Sequence, residues 1–400
     1  MDKSDLGFES LSIVGGYGKE ETIEKDAISV PLFQTIAHPY KDSLEAANIY
    51  DPEDEMDGFI YGRTDNPTND VLQKRLADLE GGEAAMATSS GMGAISLVAL
   101  SLLDKNSEAV FSNKLYARSF QLFNDVLPNF SVNSNVVENP DEIKEWEKAI
   151  TENTKFLFVE TPSNPGLFIA DLEQLAELAD SKDVLLIVDN TLATPALQKP
   201  LELGADIVVE STSKYLNGTA TALGGAIIGS EDYISSLRTG MMRRFGPSAS
   251  PFNAWLTLLG METLSLRMKK HSQNAMKVSR HLANHPKIKR VNYPGLESHP
   301  QHTIASRQME DFSALMSFTL CEGGRESAFK FLDALEMIPN VTHEGCTRTI
   351  ICHPPSTNFA DLTDKEKAEA DIPETLIRLS VGIEDIEDII DDLDQALNSI

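Results

Sequence analysis

The sequence predicts an α/β protein whose central sheet is mainly parallel and carries helices on both faces. Short apolar runs alternate with amphipathic helical patterns through the middle of the chain, which favours parallel strands joined by helices. These runs lack polar alternation, as is typical of strands buried on both faces. After Ser250 longer helical patterns predominate, which indicates a separate, smaller α+β domain.

The individual elements follow from hydrophobic periodicity and from capping residues. Strands are predicted at residues 156–160, 184–188, 207–209 and 225–228. Helices are predicted from about residue 68 to Gly81, from near Gly91, and around residues 172–178. In the C-terminal part, helical patterns cover residues 255–266, a stretch that runs to residue 282, and residues 383–397, and a strand is expected at residues 314–320.

The same patterns divide the chain into three regions. Residues 1–63, which include the acidic segment 51–57, lack sustained periodic runs, and we interpret them as an extended N-terminal arm. Residues 64–260 are predicted to form the large domain and residues 261–400 the small C-terminal domain. An extended arm needs a surface on which to lie.

Composition limits the classes of partner. Lys and Arg total 34 against 62 for Asp and Glu, which gives a net charge of −28. A chain this acidic repels polyanions, so we expect neither nucleic acid nor an anionic membrane as a partner. Basic residues in a pocket would then indicate an anionic small-molecule ligand.

Cysteine usage and the first residues favour a cytoplasmic location. Only three cysteines occur, and the first ten residues contain neither a basic region nor an apolar run. The longest apolar stretches are interrupted well before the roughly 20 residues that a membrane-spanning helix needs.

Polar side chains follow three of the predicted strands. They are Asn164 after the first strand, Asp189 and Thr191 after the second, and Ser211, Ser213 and Lys214 after the third. Because ligands bind beyond the carboxyl ends of parallel strands, we expect these side chains to converge. Each one alone is better explained as a turn, a helix N-cap or a surface lysine. Together they match pyridoxal phosphate (PLP), which needs a lysine for covalent attachment, an acid facing the ring nitrogen, and hydroxyl groups for the phosphate.

A further anion-binding segment is Ser90-Gly91-Met92-Gly93, at the predicted start of a helix. Its glycines allow backbone N–H groups to approach a phosphate. A plain helix N-cap with closely packed glycines would explain the same residues. A dinucleotide fingerprint fits less well, since the last glycine of G-x-G-x-x-G is absent and no acidic residue follows at the ribose spacing.

Short segments along the chain form a recognisable set. They are YGRTDNPT at 61–68, LEGG at 79–82, SSGM at 89–92, LY at 115–116, ETPSNP at 160–165, VDNT at 188–191, SKY at 213–215, NYPG at 292–295 and RLSVG at 378–382. In these segments and their order the chain resembles the Cys/Met-metabolism PLP enzymes: cystathionine γ-synthase, the cystathionine lyases, methionine γ-lyase and O-acetylhomoserine sulfhydrylase. The resemblance implies a fold type I PLP-dependent transferase with PLP as its cofactor.

The resemblance also implies roles for individual residues. Lys214 would bind the cofactor covalently and move protons between substrate carbons, Asp189 would pair with the ring nitrogen, and Tyr116 would stack on the ring and assist at the leaving group. The other cofactor-binding residues that it implies are Ser90, Gly91, Met92, Asn164, Thr191, Ser211 and Ser213.

An oligomer with shared active sites is a further implication. Tyr61 and Arg63 would reach the phosphate of a neighbouring subunit, which explains the arm, and we expect a homotetramer built as a dimer of dimers. Asn164 and Arg378 would bind the carboxylate of a small amino-acid substrate, with the arginine as a bidentate fork. Tyr61 and His343 are the remaining candidates for substrate binding.

Several positions depart from the family pattern. The segment His343-Glu344-Gly345 stands where the family has Ser-Leu-Gly, and Arg118 stands where methionine γ-lyase has a cysteine. Residues 219–220 are Thr-Ala where His-Gly is common. These departures affect recognition of the distal end of the substrate.

A cluster of histidines and cysteines near residue 343 invites comparison with a zinc site. His343, Cys346, Cys352 and His353 are of the ligand types that zinc prefers, but they lack a paired C-x-x-C spacing. No metal is therefore expected. For His343 a polar or acid/base role toward the substrate and a purely structural role both stay open.

Other segments favour γ-replacement on an activated homoserine ester. Residues 67–72, 250–255, 262–267 and 292–296 resemble O-acetylhomoserine sulfhydrylase, in which acetate leaves and sulfide or a thiol adds to form homocysteine or methionine. Residues 88–96 and the chain length resemble the γ-lyases instead. Alternatives are a methionine or cystathionine γ-lyase, a cystathionine γ-synthase and, in another class, a non-catalytic PLP-fold protein for binding or assembly.

Overall fold

The computed structural model describes residues 6–50 and 58–400, except for the side chain of Glu369, so the acidic segment 51–57 lies outside the described residues. The α-helices are α1 (Phe8–Val14), α2 (Lys19–Glu24), α3 (Ser43–Ile49), α4 (Pro67–Glu80), α5 (Gly91–Leu102), α6 (Ala117–Gln121), α7 (Ile143–Ala149), α8 (Leu172–Lys182), α9 (Glu231–Leu237), α10 (Arg243–Phe245), α11 (Pro251–Met261), α12 (Leu264–Ala283), α13 (His302–Gln308), α14 (Gly324–Ala334), α15 (Asp364–Glu369) and α16 (Ile386–Asn398). The strands are β1 (Ala84–Thr88), β2 (Glu108–Ser112), β3 (Asn133–Val137), β4 (Thr154–Glu160), β5 (Leu185–Asp189), β6 (Ile207–Glu210), β7 (Gly225–Gly229), β8 (Ile288–Asn292), β9 (Leu315–Leu320), β10 (Ile350–Cys352) and β11 (Leu376–Ser380).

The large sheet has seven strands in the order β1-β7-β6-β5-β4-β2-β3. Strands β6, β5, β4, β2 and β3 run parallel to one another, and β7 is antiparallel to both of its neighbours, β6 and β1. The carboxyl ends of β4, β5 and β6 therefore meet at one edge. The predicted mainly parallel α/β fold is confirmed.

Alternating side chains of the buried strands contact helices on opposite faces of this sheet. In β4, Phe156 and Phe158 belong to one hydrophobic cluster, together with residues of α5 and α9, while Leu157 and Val159 belong to another, together with residues of α7 and α8. A run that is buried on both faces gains nothing from polar alternation, which is why the apolar pattern predicts these strands correctly.

A second, four-stranded antiparallel sheet in the order β10-β11-β9-β8 lies in the C-terminal part. Helices α12 and α14 pack on it, and α16 packs on these two helices. All three share a hydrophobic cluster with α4 and α11. The α+β character predicted after Ser250 is therefore present. The predicted domain boundaries at residues 63 and 260 stay predictions.

Two predicted helices have wrong bounds. Instead of one helix over residues 255–266, the chain forms α11 and α12 with a break at Glu262 and Thr263. Helix α11 also begins earlier than predicted, because Pro251 is well suited to the first position of a helix. The last helix begins at Ile386 rather than at residue 383, since the side chain of Asp385 accepts a hydrogen bond from the backbone N–H of Glu387 at 3.0 Å and caps it there.

The predicted extended arm is partly helical, so that interpretation is wrong for α1, α2 and α3. Helix α1 packs on α4 and α12 of its own chain, where Arg75 donates hydrogen bonds to the carbonyl oxygens of Ile13 (2.7 Å) and Gly15 (3.0 Å). Beyond α1 the region exposes large apolar side chains. They include Ile23, Ile28, Ile36, Leu44, Tyr50 and Tyr61.

Candidate active site

A cavity of about 510 Å³ opens at the carboxyl edge of the large sheet. It is lined by predicted site residues from the strand ends, from the start of α5, and from the loop that precedes β10: Ser90, Gly91, Met92, Tyr116, Asn164, Asp189, Thr191, Ser211, Ser213, Lys214 and His343. The structure thus brings together side chains that are far apart in sequence, as the strand-end argument predicts.

One end of the cavity is formed by the N-terminus of α5. Ser90 caps this helix, and its Oγ accepts a hydrogen bond from the backbone N–H of Gly93 at 3.0 Å. A Cβ at Gly91 would lie 2.8 Å from the Cβ of Ser211, so only glycine allows the helix to come this close to the end of β6. The result is a small anion-binding concavity, with the first N–H groups of a helix beside a serine.

Asp189 lies at the centre of the cavity, at the end of β5. Its Oδ1 accepts a hydrogen bond from the backbone N–H of Thr191 at 3.1 Å, and the Oγ1 of Thr191 accepts one from the N–H of Ser211 at 2.8 Å. Burial raises the pKa of Asp189 to about 6, although its hydrogen bonds with Thr191 and the charge of Lys214 act in the opposite direction. A buried carboxylate of this kind is well suited to a cationic partner.

Glu160 also lines the cavity, although it is not among the predicted site residues. Its Oε2 accepts a hydrogen bond from the backbone N–H of Tyr116 at 2.5 Å, and its Oε1 accepts one from that of Asn164 at 2.9 Å. Burial and the neighbouring Asp189 raise its pKa well above the usual range. Glu160 therefore holds the backbone of two other site residues in place.

Lys214 forms an ion pair inside the cavity. Its Nζ lies 2.6 Å from Oε1 of Glu344 and 3.4 Å from Nδ1 of His343. Burial and the charge of Lys214 lower the pKa of His343 to about 4, so its imidazole is neutral near neutral pH. Like Glu160, Glu344 lines the cavity but is not among the predicted site residues. In the sequence it stands out only as a departure from the family pattern.

Arg378, on β11, lies directly behind this lining and is 1% exposed. Its Nη1 donates to Oδ1 of Asn164 at 3.0 Å and lies 3.0 Å from Oε2 of Glu344, while its Nη2 donates to the carbonyl oxygen of His343 at 3.1 Å. Asn164 and Arg378, to which the resemblance assigns the substrate carboxylate, are therefore hydrogen-bonded to each other, and their role toward the substrate stays a prediction.

The loop that carries His343 and Glu344 lies against the backbone of the lysine. Gly345 has φ = 82°, and a Cβ there would approach the backbone nitrogen of Tyr215 to 2.6 Å. Only glycine combines this conformation with this contact. The loop is thereby held beside Lys214.

Tyr61 and Arg63 do not line the cavity of their own chain. Tyr61 is 42% exposed, and Arg63 lies over its ring at 5.5 Å from the ring centroid. Arg63 donates a hydrogen bond to the carbonyl oxygen of Arg243, and its own carbonyl oxygen accepts one from Oγ of Ser248 at 2.7 Å. Both residues are therefore exposed on the surface of the chain.

Across residues 6–50 and 58–400, no group of three or more His, Cys, Asp or Glu side chains is arranged to hold a metal ion. No described helix combines the length and apolar character needed to cross a bilayer.

The residues at the cavity fit PLP in charge and in shape. The anion-binding concavity at α5 suits a phosphate, the buried Asp189 suits a protonated ring nitrogen, and Lys214 provides the amine for covalent attachment. The missing side chain at Gly91 leaves room beside Ser211 that a Cβ would fill.

This fold defines the class to which the chain belongs, the fold type I PLP-dependent enzymes, and structures of that class share it. A sequence profile of the Cys/Met metabolism PLP-dependent enzymes matches residues 10–398, and the chain belongs to this family. Its cofactor is PLP, and it is an enzyme of sulfur amino-acid metabolism. Family membership argues against the alternative of a non-catalytic protein.

Three similar proteins illustrate the range of the family. An O-succinylhomoserine sulfhydrylase of Pseudomonas aeruginosa is 38% identical, over 100% of this chain and 97% of that protein. An L-methionine γ-lyase of Fusobacterium nucleatum subsp. polymorphum is 42% identical, over 93% and 94%. A Campylobacter jejuni structure, proposed to be an O-acetylhomoserine (thiol)-lyase, superposes with a TM-score of 0.93 at 34% identity over 98% and 100%, and contains N'-pyridoxyl-lysine-5'-monophosphate.

Proposed function

We propose that the chain catalyses γ-replacement on an activated homoserine ester, in which the acyl group leaves and sulfide or a thiol adds. The observation that carries this proposal is the single cavity that unites Lys214, Asp189 and Tyr116 with an arginine–asparagine pair behind them. Sulfhydrylases among the relatives support the choice of replacement. The main alternative is γ-elimination, because a relative of slightly higher identity is named methionine γ-lyase.

The residues of the cavity divide the work of holding PLP. Lys214 would attach the cofactor and move protons, Asp189 would keep the ring nitrogen protonated, and Tyr116 would stack on the ring and assist at the leaving group. PLP supplies an electron sink that stabilises negative charge on the substrate carbons. The phosphate and ring contacts would come from Ser90, Gly91, Met92, Asn164, Thr191, Ser211 and Ser213.

Arg378 and Asn164 would bind the substrate carboxylate. The guanidinium is fully buried, and its Nη1 already donates to the amide oxygen of Asn164, so the two side chains form one rigid unit. A planar guanidinium matches a carboxylate with two parallel hydrogen bonds. The loop residue His343 would contact the distal part of the substrate.

The reaction is tested by incubating the purified holoenzyme with O-acetylhomoserine plus sulfide and, separately, with O-succinylhomoserine plus sulfide, methionine, and cystathionine. We expect homocysteine from an ester plus sulfide at a kcat/KM at least about tenfold above keto-acid release from methionine or cystathionine. Keto-acid release that dominates with all substrates, even with sulfide present, would establish the γ-lyase instead.

We also propose that the chain forms a cytoplasmic homotetramer, as a dimer of dimers, with active sites built from two chains. In this proposal residues 1–63 form an arm toward the neighbour, 64–260 the large domain and 261–400 the small domain. Exposed apolar residues in the arm, such as Ile28 at 89%, support it, because such side chains usually become covered by a partner. Tyr61 and Arg63 would then contact the neighbour's cofactor phosphate.

Mixing two inactive variants tests the shared site. A chain with Arg63→Ala still has Lys214, and a chain with Lys214→Ala still has Arg63, so a mixed dimer contains one intact site. Under complete subunit exchange we expect the mixture to recover about a quarter of wild-type activity. If mass spectrometry confirms exchange and activity stays at the level of the separate variants, the arm serves its own subunit.

A further inference from the structure

Glu344 is a buried acid in a loop where related enzymes are expected to have a neutral segment. It is 5% exposed and lines the cavity beside Lys214. Burying a carboxylate is costly unless charged groups compensate for the lost water. Burial alone would raise its pKa, but Arg378 and Lys214 outweigh that effect and lower the pKa to about 2. Glu344 is therefore an anion across the physiological range.

The two cations beside Glu344, Lys214 and Arg378, contact its carboxylate in different ways. Oε1 lies 2.6 Å from Nζ of Lys214. Oε2 lies 3.0 Å from Nη1 of Arg378, but it has no hydrogen-bond partner among the described residues. Nη1 donates a hydrogen bond to Oδ1 of Asn164. The contact with Arg378 is thus an attraction between charges without a directed bond.

A substrate carboxylate has the same charge and shape as this side chain. If Arg378 binds that carboxylate, as the proposed function assumes, Glu344 and the substrate need the same guanidinium edge. We propose that Glu344 is a displaceable internal carboxylate, which occupies the carboxylate position on Arg378 in the resting enzyme and must move before an amino acid binds.

Displacement has a consequence for specificity. An amino acid that binds through its carboxylate alone exchanges the Glu344–Arg378 ion pair for an equivalent pair between its own carboxylate and Arg378. It therefore gains little binding free energy. A substrate with further contacts, such as an ester group at its γ-carbon, gains enough from those contacts to move Glu344 aside. The residue therefore selects against simple amino acids through its competition for Arg378.

Binding measurements test this inference without relying on turnover. Wild-type and Glu344→Gln holoenzyme are titrated with L-norleucine, which lacks a leaving group, and the cofactor absorption is followed. Cofactor-free protein is melted with and without propionate, which offers only a carboxylate. We expect Glu344→Gln to bind L-norleucine at least about tenfold more tightly and to be stabilised by propionate far more than wild type.

Two further variants separate displacement from a general charge effect. Glu344→Asp keeps the charge but is one methylene shorter and reaches less far toward Arg378, so we expect it also to bind L-norleucine more tightly than wild type. Wild-type affinity in Glu344→Asp would show that only charge matters, and unchanged affinity in Glu344→Gln would show that Glu344 does not compete at all. Either result overturns the inference.

A matched control and a check on the underlying assumption complete the design. Glu374→Gln breaks another arginine–glutamate pair, in which Nε of Arg325 lies 2.6 Å from Oε2 of Glu374, away from the cavity, and it should leave ligand binding unchanged. Arg378→Ala in the Glu344→Gln background should abolish the gain. If that double variant still binds propionate tightly, the proposed carboxylate role of Arg378 fails, whereas failure of Glu344→Gln alone leaves that role intact.

Discussion

The two walls of the cavity are built in different ways. On one wall, Glu160 and Asp189 are the last residues of parallel strands, and their main chains are paired within the sheet. On the other wall, His343 and Glu344 lie in a loop that is held by the close approach of Gly345 to Tyr215. Loops change their residues without disturbing a sheet, so a family can keep its chemistry on the strand ends and vary its selectivity on the loop.

The pKa values of the acidic residues are shifted in opposite directions on the two walls. On the sheet wall, burial raises the pKa of Asp189 to about 6 and that of Glu160 well above normal. On the loop wall, burial is outweighed by Arg378 and Lys214, and the pKa of Glu344 falls to about 2. The sheet wall therefore has buried acids whose charged forms a cationic ring would stabilise. The carboxylate of the loop wall already has two cationic side chains beside it.

Removing the lysine of the sheet wall should have the largest effect. We expect Lys214→Ala to lose at least about three orders of magnitude in kcat and to remain folded, because Glu344 keeps Arg378 as a partner. Borohydride reduction followed by mass spectrometry should show the cofactor fixed to the wild-type chain and not to the variant.

Lys199→Ala provides the control for this prediction. Lys199 pairs with Glu202 at 2.9 Å outside the cavity, so its loss should affect neither the covalent cofactor nor turnover. Substantial turnover in Lys214→Ala without an added amine would show that Lys214 is not essential for the reaction. The division between chemistry on the sheet wall and selectivity on the loop wall would then be wrong.

Glu160→Gln should have an intermediate effect. A glutamine presents one oxygen and one NH₂ group, so it cannot accept hydrogen bonds from both the Tyr116 and Asn164 backbones as the carboxyl group does. We expect the free energy of unfolding to fall by about 1–3 kcal/mol and kcat to fall about tenfold. Thermal unfolding and steady-state kinetics measure both, and a variant that matches wild type in both would show that Glu160 positions neither residue.

The strand ends could be predicted from sequence because the hydrophobic pattern determines where each buried strand stops. Asn164, Asp189 and Lys214 lie in the cavity as predicted. Glu160 was missed because it was counted as part of its strand, although an acid inside an otherwise apolar run was a usable signal. The strands β1, β2 and β3 were not predicted, since they are rich in alanine or in polar residues, as in the segments AAMAT and NSNVV.

The loop wall could not be predicted in the same way. The contact of Glu344 with Lys214 and Arg378 joins three positions that are far apart in sequence, and no periodic pattern relates them. The only sequence signal in the loop is that His343-Glu344-Gly345 stands where the family has Ser-Leu-Gly. The conformation of Gly345, which holds the loop in place, depends on a tertiary contact with Tyr215.

His343→Asn should have the smallest effect, and it tests whether the loop wall takes part in proton transfer. Burial and Lys214 lower the pKa of His343 to about 4, so the imidazole is already neutral above about pH 5 and its charge does not change in the working range. Asparagine keeps a polar atom close to the position of Nδ1, which lies 3.4 Å from Nζ of Lys214. We expect kcat to change by less than about threefold, and the profile of kcat/KM between about pH 6 and 9 to keep its shape. If the acidic limb of that profile disappears in the variant, His343 is an acid or base of the reaction, and the chemistry is shared between both walls.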